Sequence, residues 1–498
     1  MAFDREASQP LSVIVIGTGF SGLGMAVGLK QAGIESFVIL ERAEAVGGTW
    51  RDNHYPGCAC DVQSHLYSFS FEQNPEWTRM YARQPEIKAY LQHAADKYAL
   101  MPHVRFGANV VEARYDDATA LWQVKTADGR VFVAQVVVSG MGGLSNPAYP
   151  KLPGIENFQG KAFHSATWDH AYDLAGKRVA VIGTGASAIQ FVPQIADKVG
   201  QLDLYQRTPP WIVPKPDRPI SARERRWFKR LPFLQRLFRF GIYCAMETRV
   251  LGFVLNPKLM LLVQKLALAH IARQVKDPLL RRKLTPDYTI GCKRVLISND
   301  YYPALTKPNV EVVTDSIKEV RAHSIVTADG VERPIDTMIY GTGFAIQTMI
   351  PRGTIFGRKG LDMFDVWKEG PQAYLGAAVP GFPNLFMLMG PNTGLGHTSQ
   401  VFMIESQIRY VMDCLQTMKQ RKLRAVEVRA EVYDRFNENL QGQLTQTVWA
   451  SGCKSWYVNE SGRNTTLWPG FTFRFRSKTR HFKAAEYVLE PARVTVSA

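Results

Sequence analysis

The sequence predicts an α/β fold with two Rossmann-like dinucleotide-binding domains and a helical insertion. Three observations predict it. The first is a glycine fingerprint, Val13-Ile14-Val15-Ile16-Gly17-Thr18-Gly19-Phe20-Ser21-Gly22. The second is another of the same kind, Val179-Ala180-Val181-Ile182-Gly183-Thr184-Gly185-Ala186-Ser187-Ala188. Each is an apolar run that breaks into a glycine turn and then a helix-compatible stretch. The glycines permit a tight turn and let backbone approach a pyrophosphate at the helix N-terminus. The third is a basic stretch from Ser221 to Arg282, where Trp227, Leu231, Leu234 and Phe238 recur at helical spacing.

The end of the strand that follows each fingerprint separates the two sites. Phe37-Val38-Ile39-Leu40 runs into Glu41, about 20 residues past the last glycine, where an acid binds a ribose. Leu202-Asp203-Leu204-Tyr205-Gln206 runs into Arg207, with no acid at the strand end. An arginine there can pair with a 2′-phosphate. FAD is therefore expected at the first site and NADPH at the second. Two dinucleotides held by one chain imply electron transfer between them.

Composition narrows the class. The chain has 498 residues, 46% of them hydrophobic, enough for two or three well-buried cores. A net charge of +16 suits anionic cofactors and an acidic membrane surface. No nucleic-acid module is present, so nucleic acid is excluded as a partner. The segment from Met1 to Pro10 is polar and reads as no signal peptide. The longest apolar stretch, Val250 to Ala272, is broken by Pro257, Lys258 and Lys265, and a cytoplasmic protein is expected. The six cysteines are scattered. Cys58 and Cys60 have neither a zinc spacing nor that of a flavin disulfide pair, and are expected to be reduced. No metal site is expected.

The pass along the chain gives five segments. Residues 1–144 form the first part of the FAD-binding domain, with strands at Leu121–Thr126 and Val131–Ser139. Residues 145–220 begin the NADPH-binding domain after the proline-rich linker Leu144–Pro150. Residues 221–290 are the helical insertion. It reads either as a basic amphipathic surface for peripheral membrane contact or as a subdomain packed on its neighbour, with arginines in water. Residues 291–380 complete the NADPH-binding domain, with strands at Val310–Val313 and Ile325–Asp329 and a strand at Asp336–Tyr340 leaving into Gly341–Phe344. Residues 381–498 return to the FAD-binding domain, where Pro391–Thr398 precedes a helix over Val401–Lys419. The start of that helix is expected to face the electron-rich end of a reduced flavin.

Two further motifs carry a resemblance. Phe158-Gln159-Gly160-Lys161-Ala162-Phe163-His164-Ser165-Ala166-Thr167-Trp168-Asp169 is one; Gly47-Gly48-Thr49-Trp50, Tyr55-Pro56-Gly57 and Asp61 form the other. With the two glycine fingerprints, they resemble the flavin-dependent Baeyer–Villiger monooxygenases over nearly the whole chain. Ser139-Gly140-Met141-Gly142 departs from the Ala-Thr-Gly usual in the family at the first linker.

The resemblance implies roles. Arg294, in Gly291-Cys292-Lys293-Arg294-Val295, would be the catalytic arginine beside the flavin, and Asp61 would pair with it. Lys293 would join Arg207 and Thr208 at the 2′-phosphate. Trp456 resembles the tryptophan of a loop that closes over NADP. Gly48, Thr49, Trp50, Asp61 and Asn392 would lie at the flavin. Phe158, Gly160, His164, Trp168 and Asp169 would mark the fingerprint, with His164 near a hinge. His397 stands where other members carry another polar residue, and its plain reading is a loop residue satisfied by backbone.

The function so implied is NADPH- and O2-dependent conversion of a ketone to an ester or lactone through a C4a-peroxyflavin. A fixed guanidinium that keeps its proton would stabilise the anions of that reaction. An N- or S-oxygenating or hydrocarbon-oxidising flavin monooxygenase is the nearest alternative, and the Trp168-Asp169 ending argues against the N- or S-oxygenating one. A non-catalytic nucleotide-binding regulatory protein is the alternative of another class.

Overall fold

The structure, a computed structural model, describes residues 10–346 and 350–492. The N-terminal segment read from Met1 lies, up to residue 9, outside the described residues. Leu11–Ile16 (β1) is apolar and buried from Val13 on, as a strand covered on both faces must be. It stops at Gly17, whose φ of +94° turns the chain into Phe20–Gln31 (α1). Phe37–Leu40 (β2) and Val131–Ser139 (β3) flank β1 in parallel, with Val38 and Val137 on either side of Ile14. Leu121–Thr126 and Val110–Asp116 extend the sheet antiparallel. The strands expected at 121–126, 131–139 and 310–313 form at those bounds.

The second unit is a parallel sheet. Lys161–His164 (β4) and Arg178–Ile182 (β5) come first; Ala188–Ile195 (α2) and Gln201–Tyr205 (β6) follow. Val310–Val313 (β7) and Thr337–Tyr340 (β8) complete it after the insertion, in the order β7-β6-β5-β8-β4. The expected strand at 325–329 is Ser324–Thr327, the middle of a small antiparallel hairpin sheet. The chain then returns. Leu385–Met387 pairs with β3 in the first sheet.

The insertion is helical. Ala222–Arg230 (α3) starts with a capping box, Ser221 Oγ accepting from the Glu224 N–H and the Glu224 carboxylate accepting from the Ser221 N–H. Pro232–Glu247 (α4) opens on a proline, which has no N–H to leave unpaired. Met260–Gln274 (α5) follows a bend at Asn256-Pro257. The two arms, Pro232–Leu255 and Pro257–Gln274, meet at 115°. Among the described residues no single helix is long and apolar enough to cross a membrane, although this bent pair taken together has the length and composition.

α4 is fastened to the first unit by polar groups. Arg239 Nη1 donates to the carbonyls of His65 (2.6 Å) and Ser68 (3.0 Å), and Gln235 Nε2 donates to that of Asn74 at 2.7 Å. Gln400–Gln420 (α6), expected over 401–419, packs against α1.

The chain crosses between the units twice, and the two crossings pair with each other. The Ala148 N–H donates to the Gly343 carbonyl and the Ala345 N–H to that of Asn146, both at 2.9 Å. A Cβ on Gly140 would stand 2.8 Å from Ile16 O and 3.0 Å from Gly22 N, so the first crossing leaves against the fingerprint turn itself. Nothing in the structure explains the rest of the departure at Ser139–Gly142.

Candidate functional site

The first fingerprint builds a cradle with no room for side chains. A Cβ on Gly22 would lie 1.8 Å from Gly17 O, and one on Gly48 3.0 Å from the Cα of Gly19. The Gly47 N–H donates to Thr18 O at 3.0 Å, which lays the Gly47-Gly48-Thr49-Trp50 turn on the fingerprint. Phe20, Ser21 and Gly22 are buried in the first turn of α1, and no side chain caps that helix. Its leading N–H groups are thus left for an anion. Glu41 is buried at the end of β2, where its carboxylate accepts from the Thr18 N–H at 3.0 Å and meets Arg51 at 2.9 Å. A glycine cradle, an uncapped helix start and a strand-end acid fit FAD.

The second motif joins the units. Trp50 is buried and donates from Nε1 to Tyr67 Oη at 3.1 Å. Gly57 has φ +80°, and a Cβ there would stand 2.6 Å from Gln190 O on α2. Tyr55 Oη donates to Gln190 Oε1 at 3.0 Å. The Tyr-Pro-Gly run therefore seats the first unit on the helix of the second fingerprint. Its role was not legible, because Gln190 carries no motif of its own.

In the second fingerprint, Gly183 has φ +105°, and a Cβ there would lie 2.5 Å from Gly341 O. Gly185 and Ala186 are exposed, Ser187 precedes α2 without capping it, and Thr184 Oγ1 donates to Thr208 O at 3.1 Å. Arg207 is exposed just past β6. Lys293 lies over the Tyr288 ring, 4.6 Å from its centroid. Burial pulls the Lys293 ammonium below its ordinary value, and the field of Arg207 pulls it further. Two cations gathered beside an uncapped fingerprint helix, after a strand with no terminal acid, fit the extra phosphate of NADPH.

Arg294 and Asp61 are brought together. Arg294 Nη2 and Nε lie 2.6 and 3.0 Å from Asp61 Oδ2, and Nη1 lies 3.5 Å from Leu395 O. Asp61 holds the guanidinium well above its ordinary value, so the charge is permanent. Burial pushes the Asp61 carboxyl up, but Arg294 outweighs it and keeps it below the usual range. The buried Tyr457 also interacts with Arg294. Tyr457 was missed; its only sequence signal is the neighbouring Trp456.

Trp456 is 45% exposed on the same loop, its ring centroid 4.4 Å from that of Tyr457. The loop is tied down in a way the sequence reading did not anticipate. Cys292 and Cys453, 161 residues apart, form a disulfide, whereas Cys58 and Cys60 are buried free thiols. Cys292 adjoins Lys293 and Arg294, so the bridge links the cation segment to the Trp456 loop. A pairing across that distance leaves no local trace.

Asn392 is buried with φ +56°. Its Nδ2 donates to Asn464 O and Leu467 O, while its Oδ1 has no partner and remains a buried acceptor. His397 differs from expectation. Its Nε2 meets a carboxylate rather than backbone, 3.2 Å from Glu247 of α4, which ties its loop to the insertion, while its buried Nδ1 has no partner.

The long fingerprint is mostly packing. Trp168 is buried against Phe163 and Phe191, each at a centroid distance of 5.2 Å. Asp169 pairs with Lys161 at 2.6 Å. Phe158 packs on the second unit's core, and a Cβ on Gly160 would stand 2.4 Å from Asp336 O. His164 is fully buried at the end of β4, with its ring against Tyr149 and Phe344, 5.6 and 5.7 Å away. It therefore touches both crossings. Burial lowers its affinity for a proton.

A family model described as pyridine nucleotide-disulphide oxidoreductase matches residues 14–232. A Baeyer-Villiger monooxygenase of Pseudomonas aeruginosa is 60% identical over 97% of this chain and 92% of its own length. Another, of Streptomyces coelicolor, is 48% identical over 100% of this chain and 96% of its own. Among solved structures, a closed crystal structure of cyclohexanone monooxygenase superposes with a TM-score of 0.86 at 29% identity, covering 98% of this chain and all of that one. An oxidized steroid monooxygenase bound to NADP gives 0.86 at 28% identity, over 97% of this chain and 100% of its own.

Proposed function

The chain belongs to the Baeyer–Villiger monooxygenases, and from that premise we propose how its residues divide the work. It is an FAD-containing, NADPH-dependent enzyme that consumes O2 and converts a ketone to an ester or lactone, with water as the second product. FAD and NADPH supply the oxygen activation and the hydride. The cradle of Gly17, Gly19, Gly22 and Gly48, with Glu41, holds the first. The second would be held by Gly183–Ser187, with Arg207, Thr208 and Lys293 to meet its extra phosphate and Trp456 on the loop that would close over it.

The observation that carries the catalytic assignment is Arg294 held at 2.6 Å by Asp61, between segments of both units. Its permanent positive charge stabilises the negative charge that grows on the ketone oxygen during attack. Asp61 fixes the guanidinium along one edge, while Nη1 meets Leu395 O only at 3.5 Å and the Tyr457 side chain also interacts with the guanidinium. Asn392 contributes its unpaired acceptor at the flavin. We place the enzyme in the cytoplasm, with its basic insertion towards a lipid surface.

The test is NADPH consumption with product mass across linear, cyclic and aromatic ketones, with amines and sulfides as controls. Ester formation from ketones supports the assignment. Turnover of amines without ketones would move it to the N-oxygenating enzymes. A yellow protein that consumes no oxygen with NADPH and any ketone would mark a non-catalytic nucleotide binder.

A further inference from the structure

α4 and α5 carry apolar side chains on both faces. The face of α4 that packs on the molecule buries Gln235, Arg239 and Glu247 with Ile242 and Met246, whereas Phe233, Leu237 and Phe240 point outward, 60%, 63% and 60% exposed. On α5, His270 is buried with Met260, Ala267 and Ile271, while Leu262 and Leu266 are 66% and 50% exposed. A surface helix in water keeps its outer face polar. Twelve of the 23 large hydrophobic side chains exposed among the described residues lie between 227 and 279. Exposed apolar groups scattered singly need no explanation, but a set at helical spacing does.

The surroundings are basic. From 221 to 282 there are fourteen lysines and arginines against three acids. The acids offset little of this. Glu247 is turned inward to His397 and Thr472 and Glu224 is bound by Arg218, which leaves the exposed Asp277, and Glu76 at 3.6 Å from Lys229, against the cations. Arg226, Lys229, Arg230, Arg236 and Lys258 are exposed.

We propose that this face lies on an anionic phospholipid bilayer and that the enzyme takes lipophilic ketones from it. The leucines and phenylalanines enter the acyl boundary and the cations meet the phosphates. A second copy is a poor occupant, because it would bring the same excess of lysines and arginines against this patch. The insertion also reaches the site. Met260 and Phe253, one from each arm, lie 3.1 and 3.3 Å from where a Cβ on Gly291 would stand, three residues before Arg294. The substrate part of this inference rests on the monooxygenase reading; the bilayer part does not.

The experiment is co-sedimentation of the flavin-loaded enzyme with vesicles of phosphatidylcholine and phosphatidylglycerol, against phosphatidylcholine alone, in low and high salt. The wild type should bind the mixed vesicles about tenfold more strongly, and salt should weaken this. The double variant Leu237→Asp/Leu266→Asp should lose binding while keeping its flavin, its melting temperature and its turnover of a small water-soluble ketone. It should lose about tenfold or more of its turnover of a long-chain ketone presented in those vesicles. Wild type that ignores anionic vesicles, or a double variant that binds them equally, overturns the proposal. So does light scattering that shows a dimer which the double variant converts to monomer, since a second copy then covers the face. Failure of wild type on the water-soluble ketone would instead sink the monooxygenase reading.

Discussion

One carboxylate oxygen of Asp61 receives both Nε and Nη2 of Arg294, at 3.0 and 2.6 Å. The guanidinium is gripped along one edge, and its Nη1 is directed towards the Leu395 carbonyl at a loose 3.5 Å. Position and charge are set before any substrate arrives.

Arg294→Ala should therefore fold, keep its flavin and lose ester formation by about a hundredfold or more, the scale of removing a donor at a developing oxyanion. Asp61→Ala should lose less, because the cation survives without its guide. Product quantified at matched flavin content measures both. Since Arg294 depresses the Asp61 carboxyl, the pair is intact above the ordinary carboxylate range. It breaks only as pH falls through the lower native value, so the acid limb of the activity profile should lie below that of a free aspartate.

Arg207→Ala should raise the KM for NADPH by a factor equivalent to about 1–3 kcal/mol and leave that for NADH nearly unchanged. Equal effects on the two would detach Arg207 from the phosphate. Because burial and Arg207 lower the Lys293 ammonium, the KM for NADPH should also climb at a pH below the ordinary lysine range.

His65 gives a stability prediction. Burial first, and Arg239 second, push its imidazole from 6.5 down to about 4. It is neutral in the native state, so its contribution is full above 6.5 and is lost as pH falls towards 4, by up to ~3 kcal/mol. Melting temperatures should drop over that window, and His65→Asn should flatten the curve.

Cys292→Ser should release the Trp456 loop. Opening a loop of 161 residues removes about 2–5 kcal/mol of stability. NADP should dissociate faster while flavin content holds. A stopped-flow release rate equal to wild type would show that the bridge has no hold on the nucleotide.

His164→Ala should keep FAD but shift NADPH consumption from ester towards hydrogen peroxide, because the ring packs on Tyr149 and Phe344 at once. An unchanged peroxide-to-ester ratio at normal turnover would reduce His164 to packing.

Both nucleotide units were legible because each depends on local chemistry: glycines at a strand end, an acid or its lack. The Arg294–Asp61 pair, 233 residues apart, was legible only through the family resemblance. What stayed hidden depends on distant partners that no motif marks. His397 finds Glu247 and Cys292 finds Cys453 only once the insertion and the C-terminal loop have folded onto the units. The insertion's two readings could not be separated by periodicity, since a helix that exposes apolar groups has the same period as one that buries them.

The paired crossings have a mechanical consequence. Two independent tethers would let the second unit twist, slide and tilt against the first. Hydrogen-bonded to each other at Ala148–Gly343 and Ala345–Asn146, they behave as one short ribbon. A ribbon bends more easily across its width than it shears in its plane, so movement of the units about these crossings is expected to be a swing rather than a sideways slide.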